Sequence, residues 1–265
     1  MRLPLAIAFA AVVAAPPQAA QLTSPFQIAV EARGTLLVAD GDSGRVVRVD
    51  PRTGRRTVFA RGFGSVYGVA VGRAGVYVMT SSRVVLFHGG KKTVVARGFS
   101  VPRGLAVARD GTVYVSESEK NRIVAFPRAG GVPTVVAAAG LDQPLGLALA
   151  PDGSLLVCDS HHGRVVRVGD GGALTPVLDG LGLPVVLSFS AAGDLYVADH
   201  VEHGEPGKIV RLRADGTKTT LSAGKIINLS GVAVSRGGVV YASSFLAPYI
   251  GRLDATGRIK AFPTP

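Results

Sequence analysis

The segment that determines the fold is PLGLALAPDGSLLVCDSHHGRVVRV, which spans residues 144 to 168. It contains three apolar runs, the first two separated by an Asp-Gly turn and the last two by a short polar loop. The second run ends in an acid, Asp159, and the third run begins with a base, Arg164. Short apolar runs separated by glycine turns are typical of antiparallel β-strands.

The same pattern occurs six times along the chain, with turn glycines 36 to 44 residues apart at Gly34, Gly75, Gly111, Gly153, Gly193 and Gly237. A repeat of about 40 residues with four short strands predicts a propeller blade, because one such sheet cannot bury its own apolar faces. We therefore predict an all-β protein, a six-bladed β-propeller of four-stranded antiparallel blades over residues 25–265. The predicted blades cover residues 25–63, 64–99, 100–141, 142–181, 182–226 and 227–265.

The connectors and the chain ends predict how the blades pack. A glycine followed by an apolar residue recurs between blades, and we expect the apolar residue to fill the space between neighbouring sheets; the pairs are Gly62-Phe63, Gly98-Phe99, Gly140-Leu141 and Gly180-Leu181. The chain begins with an innermost strand and ends with an outermost one. The ring should therefore close by packing without an exchanged strand, unless residues 21–25 add to the last blade.

The first 20 residues do not join the repeat. A single Arg2 precedes an apolar stretch from Leu3 to Ala15 and the alanine-rich sequence APPQAAQ. This order is typical of a secretory signal peptide, so we predict a secreted or periplasmic protein. An uncleaved membrane anchor is the alternative, because an Ala-x-Ala cleavage motif is not cleanly present, although the apolar stretch is short for a membrane span.

Composition and charge restrict the class of partner. The formal charge of +11 suggests attraction to polyanions such as a cell wall or an anionic membrane. Nucleic acid is not expected, since the basic residues are spread over the repeats, no aromatic residues alternate with them, and the chain has no Trp. The single Cys158 cannot form an intramolecular disulfide, and it occupies the position of Ala39 and Ala198 in other copies, which predicts a buried core residue.

Three copies carry a more specific resemblance. The sequences Asn121-Arg122-Ile123, Leu195-Tyr196-Val197-Ala198-Asp199 and Leu36-Leu37-Val38-Ala39-Asp40 resemble the NHL repeat. The end of the last copy, from Ile250 to Pro263, is also similar to the streptogramin lyase repeat. The resemblance implies a propeller whose relatives serve as binding platforms, as outer domains of receptors and, in related families, as enzymes.

In such a propeller the residue just before each innermost apolar run lies at the mouth of the central channel. These six channel-mouth residues are Phe26, Tyr67, Arg103, Leu145, Val185 and Ser230. Similarity to propellers of the gluconolactonase and regucalcin kind implies a divalent metal held there by Glu, Asn and Asp. None of the six is a carboxylate or Asn, and Leu145 takes the place of the asparagine in that family's Pro-Asn-Gly, which argues against a lactonase of that mechanism.

Tyr67, Arg103 and Ser230 are the polar members of the set. Together they predict a ligand-binding mouth suited to an anionic or carbonyl group.

A second candidate site is based on histidine. His161 and His162 lie between the second and third strands of blade four, and His200 and His203 lie in the corresponding loop of blade five beside Glu202. Imidazoles with a carboxylate can bind a divalent metal such as Zn²⁺ or Ca²⁺, or act as a general acid and base. The alternative is that these histidines and acids belong to solvated polar loops. Apart from such a metal, no cofactor is expected.

Acids and bases also recur at fixed positions, as Asp40, Glu117, Asp159 and Asp199 and as Arg45, Arg83, Arg122, Arg164 and Lys208. A residue needed once for chemistry need not appear in every blade, whereas a hydrogen bond that holds a loop should. We predict that these residues brace the loops.

The sequence thus favours a secreted, monomeric NHL-type propeller that is a non-catalytic binding scaffold for a protein, a small molecule or a cell-envelope polyanion. An extracytoplasmic metal-dependent lyase or hydrolase of the streptogramin lyase or gluconolactonase-like kind is the alternative, and an enzyme of this type would act on a lactone or an ester.

Overall fold

The computed structural model describes residues 20–200, 206–246, 249–254 and 258–262. These residues form 24 strands in six four-stranded antiparallel sheets, with two short 3-10 segments at Ser118–Lys120 and Asp170–Gly172. The prediction of a six-bladed all-β propeller is confirmed. The described part of the chain has no helix long and apolar enough to cross a membrane. The predicted signal peptide lies, except for Ala20, outside the described residues.

The strands follow one another in chain order within each blade. Blade one contains β1 (Pro25–Val30), β2 (Leu36–Asp40), β3 (Arg45–Val49) and β4 (Arg56–Arg61). Blade two contains β5 (Val66–Gly72), β6 (Gly75–Thr80), β7 (Arg83–His88) and β8 (Lys91–Arg97). Blade three contains β9 (Pro102–Val107), β10 (Val113–Glu117), β11 (Arg122–Phe126) and β12 (Thr134–Ala137).

Blade four contains β13 (Pro144–Leu149), β14 (Leu155–Asp159), β15 (Arg164–Val168) and β16 (Leu174–Leu178). Blade five contains β17 (Leu183–Phe189), β18 (Leu195–His200), β19 (Pro206–Leu212) and β20 (Lys218–Ile227). Blade six contains β21 (Leu229–Val234), β22 (Val240–Ser244), β23 (Tyr249–Leu253) and β24 (Ile259–Ala261).

The first strand of each blade lies innermost, and each inner strand contacts the inner strand of the next blade until β21 meets β1. Because neighbouring strands are antiparallel, the first and third hairpin turns of every blade lie at one end of the ring, which we call the hairpin face. The loops between second and third strands and the linkers between blades lie at the other end, which we call the cavity face.

Apolar cores fill the spaces between successive sheets. Phe63, Phe99 and Leu141, the apolar members of three connector pairs, are buried in these cores as predicted, and Leu181 packs partly buried in a fourth. Cys158 is fully buried as predicted, and its burial raises the pKa of the thiol well above its ordinary value.

The repeated acids brace the linkers, which confirms the structural interpretation. Each acid accepts a backbone N–H from the linker 17 residues before it: Asp40 from Thr23, Glu117 from Ser100, Asp159 from Asp142 and Asp199 from Gly182, at 2.7 to 2.9 Å. In three blades the predicted arginine of the third strand also pairs with the acid at 2.6 to 2.8 Å, namely Arg45, Arg122 and Arg164. The same spacing of 17 residues thus holds the linker before the inner strand in four of the six blades.

Neighbouring inner strands approach closely at a recurrent glycine. The residue after the channel-mouth position is Gly68, Gly104, Gly146 or Gly231 in four blades. A Cβ atom at Gly104 would lie 2.2 Å from the Leu145 carbonyl oxygen of the next blade. The hydroxyl of Ser116 donates to the same oxygen at 2.6 Å, so the blades are hydrogen bonded across this contact.

The ring closes without an exchanged strand among the described residues, because the sheet of blade six is built from β21 to β24 alone. Ser243 donates to the Phe26 carbonyl and Ser230 to the Pro25 carbonyl, both at 2.7 Å. Leu22 is buried in the apolar cluster that also contains Tyr241 of blade six. In the first hairpin of blade six the positive φ falls on Gly238, one residue after the glycine identified in the sequence.

Candidate functional site

The six channel-mouth residues come together. All of them line one cavity of about 380 Å³ on the cavity face, at the centre of the ring. Each belongs to a different inner strand, so the cavity is built by every blade. The sequence pattern therefore identified residues that share one concave surface.

A β-bulge lies at the channel-mouth residue of every inner strand. In blade three, for example, Gly104 pairs with Ser116 and Pro102 with Glu117, which leaves Arg103 without a partner in the second strand. Equivalent register shifts occur in the other five blades. A bulge changes the direction of the chain and its side chains locally, and in each blade it coincides with the residue that lines the cavity.

One side of the cavity is an aromatic ledge that ends in a cation. Phe245 stacks on Phe26 with ring centroids 5.8 Å apart and an angle of 7° between the rings. Phe26 meets Tyr67 edge to face at 5.8 Å, and the guanidinium of Arg103 lies 5.2 Å from the centre of the Tyr67 ring. The cation is held by the ring, and among the described residues it has no ion pair within 4 Å.

The opposite side of the cavity is aliphatic, lined by Leu145, Leu183, Val185 and Leu229. Gln27 also lines the cavity, and its side chain accepts from the Val69 N–H at 3.3 Å and donates to the Leu105 carbonyl at 3.4 Å. Gln27 thus links the first three inner strands. The cavity is consequently apolar on two sides and cationic at one edge.

Ser230 contributes less polarity than the sequence suggested. Its side chain lines the cavity but is buried, and its hydroxyl donates to the Pro25 carbonyl. The hydroxyl proton is therefore committed to ring closure. Among the six channel-mouth residues, Arg103 and Tyr67 therefore supply the polar groups.

The rim carries further polar groups. Glu119 from the 3-10 segment of blade three and His200 at the end of β18 both line the cavity. Val101 and Gln143, in the linkers before β9 and β13, have φ of 43° and 50° and also line it. A positive φ at a β-branched residue such as Val101 is strained, and such strain concentrates at functional sites.

The candidate histidines that the structure describes, His161, His162 and His200, do not form one cluster. The Nδ1 atom of His162 lies 2.9 Å from Asp159, and that of His161 lies 3.4 Å from Asp142, with both imidazoles about half exposed. Glu202 and His203 lie outside the described residues. Among the residues that the structure describes, no group of three or more His, Cys, Asp or Glu is placed to hold a metal ion.

Phe245, Gln27 and Glu119 are among the cavity residues that sequence reasoning missed. The sequence predicts His200 as a member of the histidine-based site, in the loop between the second and third strands of blade five. In the structure it continues β18, pairs in register with Leu183 and lines the cavity. Both Phe245 and His200 directly follow the position of the repeated acid, and Glu119 comes two residues after Glu117. This position was therefore the signal in the sequence for the rim of the cavity.

Comparison with known proteins supports this architecture. The NHL repeat family matches residues 99–126 and 141–168. None of the curated proteins compared with the chain matches its sequence. A chain of a nidogen/laminin complex is similar to this chain, with 22% identity, a TM-score of 0.73 and coverage of 86% of this chain and 92% of that one.

Two of the similar solved structures carry the names of enzymes. One is a catalytically inactive H270A variant of virginiamycin B lyase from Staphylococcus aureus, solved with quinupristin. It has 17% identity and a TM-score of 0.66, and the match covers 92% of this chain and 85% of the lyase chain. A putative gluconolactonase has 16% identity and a TM-score of 0.68, with 87% and 91% covered. At these low identities, the similarity shows a shared fold only. The chain is thus a six-bladed β-propeller that contains NHL repeats.

Proposed function

We propose that the protein is a secreted, non-catalytic binding module whose ligand is an apolar or aromatic group bearing a carboxylate or a similar anion. The observation that carries this proposal is the convergence of all six channel-mouth residues on one cavity with an aromatic ledge, an aliphatic wall and the Arg103 cation. The similarity to a chain of a nidogen/laminin complex is compatible with a fold that binds partners through its surface loops.

The size and chemistry of the cavity fit this class of ligand. Its volume of about 380 Å³ lies at the lower end of the range of roughly 300–1,000 Å³ that is usual for small-molecule sites. A flat ring can lie between the aromatic ledge and the wall that contains Leu145. The anionic group would then reach Arg103 at the edge, where guanidinium and carboxylate can form two parallel hydrogen bonds.

Titration with 2-naphthoate tests the proposal, with 2-naphthylmethanol as the uncharged analogue. The chain has no Trp, so the naphthyl fluorescence can be followed without interference. We expect wild type to bind the carboxylate at least about tenfold more tightly than the alcohol, because a charge-assisted hydrogen bond contributes roughly 1.5–3 kcal/mol. Arg103→Ala should remove this preference, and Arg103→Lys should restore part of it.

The matched control is Arg97→Ala, which removes an exposed arginine of the same face that does not line the cavity. It should bind both compounds as wild type does. Absence of saturable 2-naphthoate binding, or an Arg103→Ala variant that keeps the full preference for the carboxylate, would contradict the proposal.

An extracytoplasmic lyase or hydrolase is the second candidate, because His200 and Glu119 both line the cavity and could act as base and acid. Virginiamycin B lyase was solved with quinupristin, so this compound is the first substrate to examine. If the protein is such an enzyme, it consumes quinupristin in the presence of Mg²⁺ or Zn²⁺, and His200→Ala lowers the rate at least about 100-fold while His161→Ala does not. Intact quinupristin after prolonged incubation would exclude this reaction.

A further inference from the structure

A second concave surface lies on the hairpin face, where blade six meets blade one. It is a groove of about 600 Å³ between three hairpin turns, those joining β1 to β2, β3 to β4 and β21 to β22. Each turn contributes one exposed arginine to the groove: Arg33, Arg52 and Arg236. Ring closure brings together cations that lie about 200 residues apart in the sequence.

The groove has an excess of positive charge. Its two acids are Glu31, which accepts two hydrogen bonds from the Arg48 guanidinium at 2.8 Å, and Asp50, which accepts the backbone N–H of Arg52 at 2.8 Å. Among the described residues, the three groove arginines have no ion pair within 4 Å. Four arginines, counting Arg48, against two carboxylates leave a net charge of +2.

Arg33 takes the place of an acid that stabilises the same turn in other blades. Asp110 accepts the N–H of Thr112 at 2.8 Å, and Asp152 accepts the N–H of Ser154 at 2.9 Å. An arginine cannot accept this bond, so the turn itself does not favour Arg33. The replacement reverses the charge of the turn that borders the groove.

The arginines are presented by short, ordered turns. The Gly34 N–H donates to the Glu31 carbonyl at 2.8 Å with a φ of 86°, and the Gly238 N–H donates to the Ser235 carbonyl at 2.9 Å with a φ of 79°. Glycine adopts these positive φ values without strain. Little loop entropy would be lost when an anion binds.

We propose that this groove binds the phosphate or sulfate groups of an anionic polysaccharide. Guanidinium groups recognise such oxyanions through paired hydrogen bonds. Further exposed cations of the same face extend the positive surface away from the groove: Arg55 in the same turn as Arg52, and Arg73, Lys91 and Arg109 on neighbouring hairpins. A repeating anionic polymer matches this extended arrangement better than a single small anion.

The lining of the groove favours a polysaccharide over a nucleic acid. Its one aromatic residue is Tyr241, which is 5% exposed and therefore offers no ring on which a base could stack. This binding is independent of the ligand proposed for the central cavity, because the two surfaces lie on opposite faces of the ring.

Binding of the full chain to dextran sulfate in 50 mM salt tests the inference, with neutral dextran as the negative control. The groove variant is Arg33→Ser/Arg52→Ser/Arg236→Ser. The matched variant is Arg61→Ser/Arg97→Ser/Lys208→Ser, which removes the same charge from exposed positions of the cavity face. We expect roughly tenfold weaker binding for the groove variant and a change of about twofold or less for the matched one.

The salt dependence gives a second measurement. Loss of three phosphate or sulfate contacts should reduce the slope of log K against log salt by about two to three. An Arg→Lys version of the groove variant keeps the charge and should retain most of the affinity, which separates binding from misfolding.

Four results would overturn the inference: equal weakening in the two serine variants, no binding of dextran sulfate by wild type, tighter binding of duplex DNA, or displacement of dextran sulfate by pyrophosphate or inorganic sulfate at equal charge concentration. The first would show a general charge effect, and the last two would show another class of ligand.

Discussion

Replacing Gly104 by alanine is expected to lower the free energy of unfolding by about 3 kcal/mol or more. The new Cβ would lie 2.2 Å from the Leu145 carbonyl oxygen and 2.8 Å from the Ser116 hydroxyl. The oxygen belongs to the backbone of the next inner strand, so relief requires blades three and four to separate. That separation would lengthen the hydrogen bond from Ser116 to Leu145, now 2.6 Å.

The matched control for this change is Gly169→Ala. Gly169 has an extended backbone with a φ of −99°, and the nearest atom to a new Cβ lies 3.6 Å away. We expect this variant to stay within about 0.5 kcal/mol of wild type in urea denaturation. Equal stability of the Gly104→Ala variant would mean that the inner strands are not in close contact.

Removal of the Asp40 carboxylate has the second large expected effect. Asp40 is fully buried and accepts hydrogen bonds from the backbone N–H groups of Thr23 and Ser24 and from the side chains of Ser43 and Arg45, at 2.7 to 2.8 Å. Asp40→Ala leaves the two backbone N–H groups without an acceptor and removes the ion pair of Arg45, and should cost about 3–5 kcal/mol. Asp42→Ala, two residues away and exposed, should change stability by less than about 0.5 kcal/mol in the same urea experiment.

The same carboxylates predict how stability depends on pH. Burial would raise the pKa of Asp40 and of Glu117, but the hydrogen bonds of the braces outweigh it and lower both pKa values below their ordinary 3.8 and 4.5. The stabilisation is therefore complete above these ordinary values and is lost as the pH falls through the lower folded-state pKa values. Unfolding free energies measured from pH 6 downward should fall below about pH 4.5, and less steeply in an Asp40→Asn variant; an unchanged acid profile in that variant would contradict the assignment.

The fold could be predicted because its determinants repeat. Turn glycines 36 to 44 residues apart define the blades, and acids such as Asp159 recur in the four blades whose linkers they hold. The hydrogen bonds between neighbouring blades could not be predicted in this way. Ser116 bonds to Leu145, 29 residues further along, and serine is too common in β-turns and strands for this contact to be visible in the sequence.

The cavity was predicted in part. The channel-mouth residues follow from the strand order, because one inner strand per blade must surround the axis. The aromatic ledge was missed at Phe245, since its stacking on Phe26 depends on ring closure between the last blade and the first. The basic groove was missed for the same reason, because Arg33 and Arg236 become neighbours only when the ring is closed.

A crystal structure of the protein with bound 2-naphthoate would test the central claim most directly. The account predicts the naphthyl ring between the Phe26 ledge and the Leu145 wall, with the carboxylate about 3 Å from the Arg103 guanidinium. A naphthoate molecule found only elsewhere, or one in the cavity whose carboxylate points away from Arg103 into solvent, would contradict it.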